Sequence, residues 1–313
     1  MSEKYYVDSS KVYEMQTVFI RKKEERIILI GTQQHRPINN PKSFIGSFVY
    51  DVNKWSKMMF VHQALRQVLL NKEKDWTILL CTQGYGKLQL ETIKKYFNQI
   101  LKSDGSKTVR YIKEITNLND ILFYINRGDR NTNRNLYMIT ELIFFSHGDV
   151  RGISPWMGDI PNSFDPYIDK QFVEQIESYA FDPDAKIYSY ACRTGLGNPK
   201  IDKEATGLDP MKEKSVAQAL ANATGATVYA YFRRTDYSNT LLNEKERIIV
   251  ENKYSKLTEE EKVKYKHLYE IWMTNKYEVE GEILYPKGAR YPINAADTPK
   301  GLPLSMIMYR DKT

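Results

Sequence analysis

The chain has 313 residues, 42% hydrophobic and 27% charged, with a mean hydropathy of −0.56. That length can bury a sizeable core as one large domain or two small ones, and the absence of any apolar run of about 18 residues excludes a membrane-spanning helix. The net charge is +7, yet Lys and Arg are spread along the chain rather than gathered in a block, so a solvated basic surface is expected and no motif supports a nucleic-acid partner.

Residues 1 to about 52 read as β-rich. Met1-Ser2-Glu3-Lys4 opens no signal-type segment, which points to the cytoplasm. Export by a machine needing no cleavable signal stays open. Gln16–Ile20 and Arg26–Ile30 flank the charged stretch Arg21-Lys22-Lys23-Glu24-Glu25, a hairpin pattern. A Pro/Asn loop, Arg36–Pro41, precedes a short strand at Gly46–Tyr50. Asn53 is placed to cap a helix reaching Asn71, with Trp55, Met58, Met59, Ala64, Leu65, Val68 and Leu69 at helical spacing.

From residue 76 strands and helices alternate. Strands are expected at Trp76–Cys81, Thr108–Ile112, Leu142–Phe145, Lys186–Tyr190 and Ala226–Tyr231. Helices are expected at Leu88–Leu101, Leu118–Ile125, Phe172–Tyr179 and Lys212–Ala223, the last with Gly225 at its C-cap. Such alternation implies an α/β fold, a parallel-dominated sheet with helices on both faces. The segment Thr194–Glu213 reads as an exposed loop. Beyond residue 238 a charged helix, Leu257–Asn275, and two late strands, Tyr277–Leu284 and Pro303–Tyr309, follow. The domain reading is an accessory N-terminal section at 1–73, a core at 74–240 and a completing or covering section at 241–313.

Two segments carry the chemistry. Phe144-Phe145-Ser146-His147-Gly148-Asp149 ends a strand on His147, and Tyr188-Ser189-Tyr190-Ala191-Cys192-Arg193 ends the next on Cys192. They are 45 residues apart (192 − 147), room for one crossover helix. Ligands bind beyond the carboxyl ends of such strands. A thiolate nucleophile needs a base to take its proton, and an imidazole does this near neutral pH. Gly148 leaves space beside the reacting centre. Its N–H and that of Cys192 are placed to hold an oxyanion, each such donor being worth about 3 kcal/mol.

Ser146-His147-Gly148-Asp149 and Ala191-Cys192-Arg193-Thr194-Gly195 resemble the two catalytic blocks of the caspase-like (clan CD) cysteine peptidases, which include caspases, metacaspases, separases, gingipains and the bacterial CHAT peptidases. The resemblance covers about residues 74 to 240. It implies His147 as general acid/base, Cys192 as nucleophile, and the Gly148 and Cys192 N–H groups as oxyanion hole, with no obligatory third side chain. It implies a caspase-like sheet and a cysteine endopeptidase acting on a protein or peptide through an acyl-enzyme, with a regulatory partner or activator open. Bacterial defence, or use as a toxin or effector, suits that activity. The alternative is a catalytically silent interaction module of the same fold.

Two residues depart from the caspase pattern. Tyr190 stands where caspases carry a specificity Gln, and Thr194 is an extra residue in the Cys block, so aspartate specificity does not carry over. Arg233 and Arg234 suit an acidic substrate side chain, Asp236 a basic one, and the choice stays open. Gln83 begins a Gly-rich turn expected beside the substrate cleft. Cys81, inside a buried strand, reads as core. His35, His62 and His267 form no ligand spacing, so neither metal nor cofactor is expected.

Overall fold

The computed structural model describes residues 22–32, 58–156, 167–276 and 285–311. A seven-stranded sheet is built from β1 (Lys23–Ile30), β2 (Trp76–Cys81), β3 (Val109–Ile115), β4 (Tyr137–Phe145), β7 (Phe181–Ser189), β8 (Thr227–Ala230) and β11 (Ile307–Tyr309). Its order is β11-β8-β7-β4-β1-β2-β3. All neighbours are parallel except β11, which runs antiparallel to β8. The chain steps outward from β1 to β2 and β3, then returns to the other side of β1 through β4. The direction of winding therefore reverses between β1 and β4, the place where ligand crevices open in doubly wound sheets.

The strand sequences account for this sheet. Every residue of β2 is buried, and the last four of β1 are fully so. A strand covered on both faces must be apolar throughout. Because successive side chains alternate, Ile27, Leu29, Leu79, Leu142, Ile187 and Val228 face one cluster, closed by α3 (Leu118–Arg127), α4 (Lys170–Val173) and α5 (Val216–Thr224). Ile28, Ile30, Ile78, Leu80, Ile143 and Phe145 face the other, closed by α1 (Met59–Leu70) and α2 (Lys87–Asn98). The α/β class with helices on both faces is thus as expected. Cys81 is fully buried in the first cluster, and burial pushes its thiol pKa far up.

The helix ends follow local chemistry. Asn117 accepts from the Asp120 N–H at 2.9 Å to start α3. Ser215 accepts from the Gln218 N–H at 3.1 Å to start α5, and Gly225, at φ 71°, ends it.

Several expectations need correction. β1 is not the outer arm of an accessory hairpin; it lies at the centre of the sheet, so residues 23–30 and α1 belong to the core body rather than to an N-terminal section. Lys23-Glu24-Glu25, read as part of a turn, open this strand. Glu25 is buried because Arg134 pairs with it while Thr77 (2.7 Å) and the Tyr124 hydroxyl (2.6 Å) donate to it. The helix expected at Phe172–Tyr179 shortens to α4 and a single turn at Ser178–Ala180. The loop after Cys192 is not simply exposed: Leu196 and Ile201 are fully buried in the core. The strands expected at Gln16–Ile20, Gly46–Tyr50 and Tyr277–Leu284, the Asn53 cap and His35 lie outside the described residues. α6 (Glu244–Ile248) and α7 (Glu259–Lys276) form a small satellite around Leu241, Leu242, Val250 and Ile271. Among the described residues no helix is long and apolar enough to cross a membrane.

Candidate active site

β4 ends at Phe145, Ser146 is buried, and His147 opens a hairpin of β5 (His147–Asp149) and β6 (Gly152–Ser154). The end of β1 presses against this corner. The Gly31 N–H donates to the Phe145 carbonyl at 2.8 Å, and a Cβ on Gly31 would lie 2.7 Å from Ser146 Cβ. Only glycine permits that approach. In the hairpin Gly148 faces Ile153, whose N–H and C=O are both engaged with Ile168 on its other side. Gly148 and Ile153 are therefore a non-hydrogen-bonded pair, and the Gly148 N–H points away from β6.

On β7, Ser189 faces Phe144 of β4, and the Tyr190 N–H donates to the Phe144 carbonyl at 3.0 Å. Three residues further along each chain stand His147 and Cys192. The parallel register thus delivers both to the same edge, on strands spaced about 4.8 Å apart. The two loops touch: a Cβ on Gly148 would lie 2.8 Å from Ala191 Cβ and 3.1 Å from Thr194 Cγ2.

The turn after Cys192 is held from several sides. Arg193 takes a left-handed φ of 59° and donates its N–H to the Arg233 carbonyl at 3.0 Å. Thr194 Oγ1 lies 2.8 Å from Ser189 Oγ. The Gly195 N–H donates to Tyr231 O at 3.0 Å, and the Tyr309 hydroxyl of β11 donates to the Gly195 carbonyl at 2.7 Å. Among the described residues no acceptor takes the Cys192 N–H.

Three residues that sequence reasoning missed frame the pair. Thr235 opens β9 (Thr235–Asp236), which pairs with β10 (Asn294–Ala295). Its N–H donates to Cys192 Sγ at 3.2 Å, and its Oγ1 is 3.1 Å from the same sulfur. The Phe60 ring meets His147 edge-on at 4.9 Å and Tyr237 at 5.0 Å. The Tyr237 hydroxyl donates to the Tyr190 carbonyl at 3.1 Å. Burial, then the nearness of Cys192, pushes the Tyr237 hydroxyl pKa well up. Burial lowers His147 to about 4, so its imidazole is neutral at neutral pH. The Asp149 carboxylate on the same strand turns to Arg151 at 2.7 Å.

The expected substrate-binding residues scatter. Tyr190 is beside the pair, stacked on Phe145 at 5.0 Å, with its hydroxyl pKa raised by burial to about 12. Arg233 is spent on structure: its guanidinium donates to the carbonyls of Leu302 (2.7 Å) and Asp297 (2.9 Å), which corrects its reading as a free acid-binding group. Arg234 pairs with Asp202 at 2.9 Å, and the buried Arg193 pairs with the same carboxylate at 2.8 Å rather than facing solvent. Asp236 accepts from the Ser238 N–H at 2.7 Å. Gln83 follows β2, three strands from β7, and donates to Thr116 O at 3.2 Å. At about 4.8 Å per strand it lies roughly 14 Å away and is not part of this cluster.

Among the described residues no group of three His, Cys, Asp or Glu side chains could hold a metal ion. No protein-family model, no curated protein and no solved structure matches the chain.

Proposed function

We propose that the chain is a caspase-like cysteine endopeptidase using a Cys192–His147 dyad. The observation that carries the reading is the arrival of both side chains at register-matched ends of β7 and β4, beside the point where the sheet reverses its winding. A neutral imidazole, a half-buried thiol and an unengaged Cys192 N–H supply base, nucleophile and one oxyanion donor. The Gly148 N–H is the second.

In this mechanism the Cys192 thiol proton passes to His147 as Sγ bonds to the scissile carbonyl carbon. The negative charge that collects on the carbonyl oxygen is held by the two N–H groups. Collapse breaks the C–N bond, and His147 returns the proton to the leaving amine. Water then gives a proton to His147, its oxygen bonds to the acyl carbon, the C–S bond breaks, and the thiolate is reprotonated. No step needs a metal or cofactor from outside the chain. Both cysteines are free, which suits a reducing compartment such as the cytoplasm.

The test is a pooled peptide library with cut positions read by mass spectrometry, run beside a peptidyl ketone that captures thiol nucleophiles. Cleavage and labelling at Cys192 are expected, both lost in Cys192→Ala with its melting temperature unchanged. Cutting that survives Cys192→Ala would remove the dyad. A folded chain that neither cuts nor labels would instead be the catalytically silent interaction module.

A further inference from the structure

We infer that Thr235 is a positioning residue for the Cys192 nucleophile: its hydroxyl and its N–H together grip the sulfur and hold it in one orientation. The role of the sulfur rests on the peptidase reading; the grip itself does not. Two groups of one residue converge on Sγ, the N–H donating at 3.2 Å and the hydroxyl oxygen at 3.1 Å, and the carbonyl oxygen of the same residue lies 3.9 Å from the sulfur as an acceptor for its proton.

Thr235 is well placed to hold that geometry. It is 5% exposed, and its branched side chain allows few rotamers. Its backbone is framed on both sides. Thr235 faces Ala295 in the β9–β10 pair, the Arg234 N–H donates to Thr298 O at 2.8 Å, and the Ala296 N–H donates to Arg234 O at 2.8 Å. The Arg233 guanidinium ties the same segment to the 296–302 loop. The carbonyl cap that removes Arg233 from substrate binding therefore steadies the residue that holds the thiol.

The chemistry has a direction. A hydroxyl can accept from a thiol or donate to a thiolate by rotating its proton. The N–H can only donate. With sulfur ionised, both bonds become charge-assisted and roughly twice as strong as their neutral forms. When Sγ bonds to the acyl carbon it loses its charge and both bonds weaken, so the grip acts before attack and relaxes in the acyl-enzyme.

The experiment is the rate of Cys192 alkylation by iodoacetamide from pH 5 to 10, on the full chain with Cys81 replaced by Ala, in wild type, Thr235→Val, Thr235→Ala and Thr235→Ser. Melting temperatures are read alongside. Losing one hydrogen bond to the attacking sulfur should slow alkylation of the Val variant about tenfold near neutral pH. Thr235→Ser should restore the wild-type profile. Thr235→Ala provides a second folded, hydroxyl-free chain should Val disturb the packing. A hydroxyl that merely fills space would lower the melting temperature without moving the profile. Superimposable profiles in folded Val or Ala variants overturn the inference, whether or not the chain cuts peptides. A shifted profile in a chain that cuts nothing upholds the grip and defeats the peptidase reading instead.

Discussion

Replacing Gly148 with Ala tests the site where the two loops meet. The new Cβ would lie 2.8 Å from Ala191 Cβ, 2.9 Å from Gly152 O and 3.1 Å from Thr194 Cγ2. Carbon atoms settle about 3.5–4.0 Å apart, so the Ala191 contact is short by about 1 Å. The three obstacles belong to β6 and to both ends of the nucleophile turn, so no single small rotation relieves them all. The His147–Gly148 segment must move away from the Ala191–Cys192 segment. Overpacking of this kind costs about 1–3 kcal/mol, a fall in melting temperature of roughly 2–10 °C for a domain of this size. A misplacement of about 1 Å between catalytic groups costs about a hundredfold in rate. Gly148→Ala should therefore fold yet cleave a library-derived peptide about a hundredfold more slowly. Iodoacetamide, which needs neither the oxyanion donors nor His147 in place, should still modify Cys192 within a few-fold of wild type. Full turnover in the variant would refute the reasoning, because it would mean the loops are not locked together where the chemistry occurs.

Two further predictions concern the fold. Arg134→Ala should destabilise the chain by about 3–5 kcal/mol, read by denaturant unfolding, because Glu25 and Arg134 are each 2% exposed and the carboxylate would be left buried without its cation. A loss below about 1 kcal/mol would show that Glu25 escapes to solvent. Acid should weaken the protein. Burial lowers His62 to about 3 and His147 to about 4, against about 6.5 unfolded. Below pH 6.5 the unfolded chain therefore takes up two protons that the folded chain refuses, and stability falls as pH drops toward 4, by up to about 2.7 kcal/mol per pH unit. His62→Gln keeps an uncharged acceptor for the Tyr285 N–H, 3.0 Å from His62 Nε2, and should roughly halve the slope between pH 6.5 and 5. An unchanged slope would mean that His62 does not remain neutral in the fold.

The central strands and the placing of His147 and Cys192 at strand ends were legible because their signals are local. β2 is buried throughout, β4 ends in the apolar run Leu142–Phe145, β7 ends with buried Ile187 and Ser189 around Tyr188, and His147 and Cys192 follow two of them. β1 was misplaced for a physical reason: its entry is charged, and the partner that lets Glu25 be buried stands 109 residues away at Arg134. Thr235 left no trace in the sequence either. It sits in a two-residue strand and touches a sulfur 43 residues earlier, so no period or motif marks it. Arg233 and Arg234 could be located near the site from their place after β8, but the carbonyls that occupy one and the carboxylate that occupies the other are tertiary facts.

The hydroxyl that Tyr309 extends to Gly195 spans 114 residues. The other direct contacts of the Cys192 turn come from residues up to 235, and the segment 294–302 that frames Thr235 follows. The Tyr309 support comes last, because it arrives with the edge strand. Pairing over such a separation is slow and comes late in folding. During synthesis the nucleophile turn therefore waits, nearly built, for the final strand to dock. A chain interrupted before residue 309 would hold its cysteine and histidine without the brace behind them.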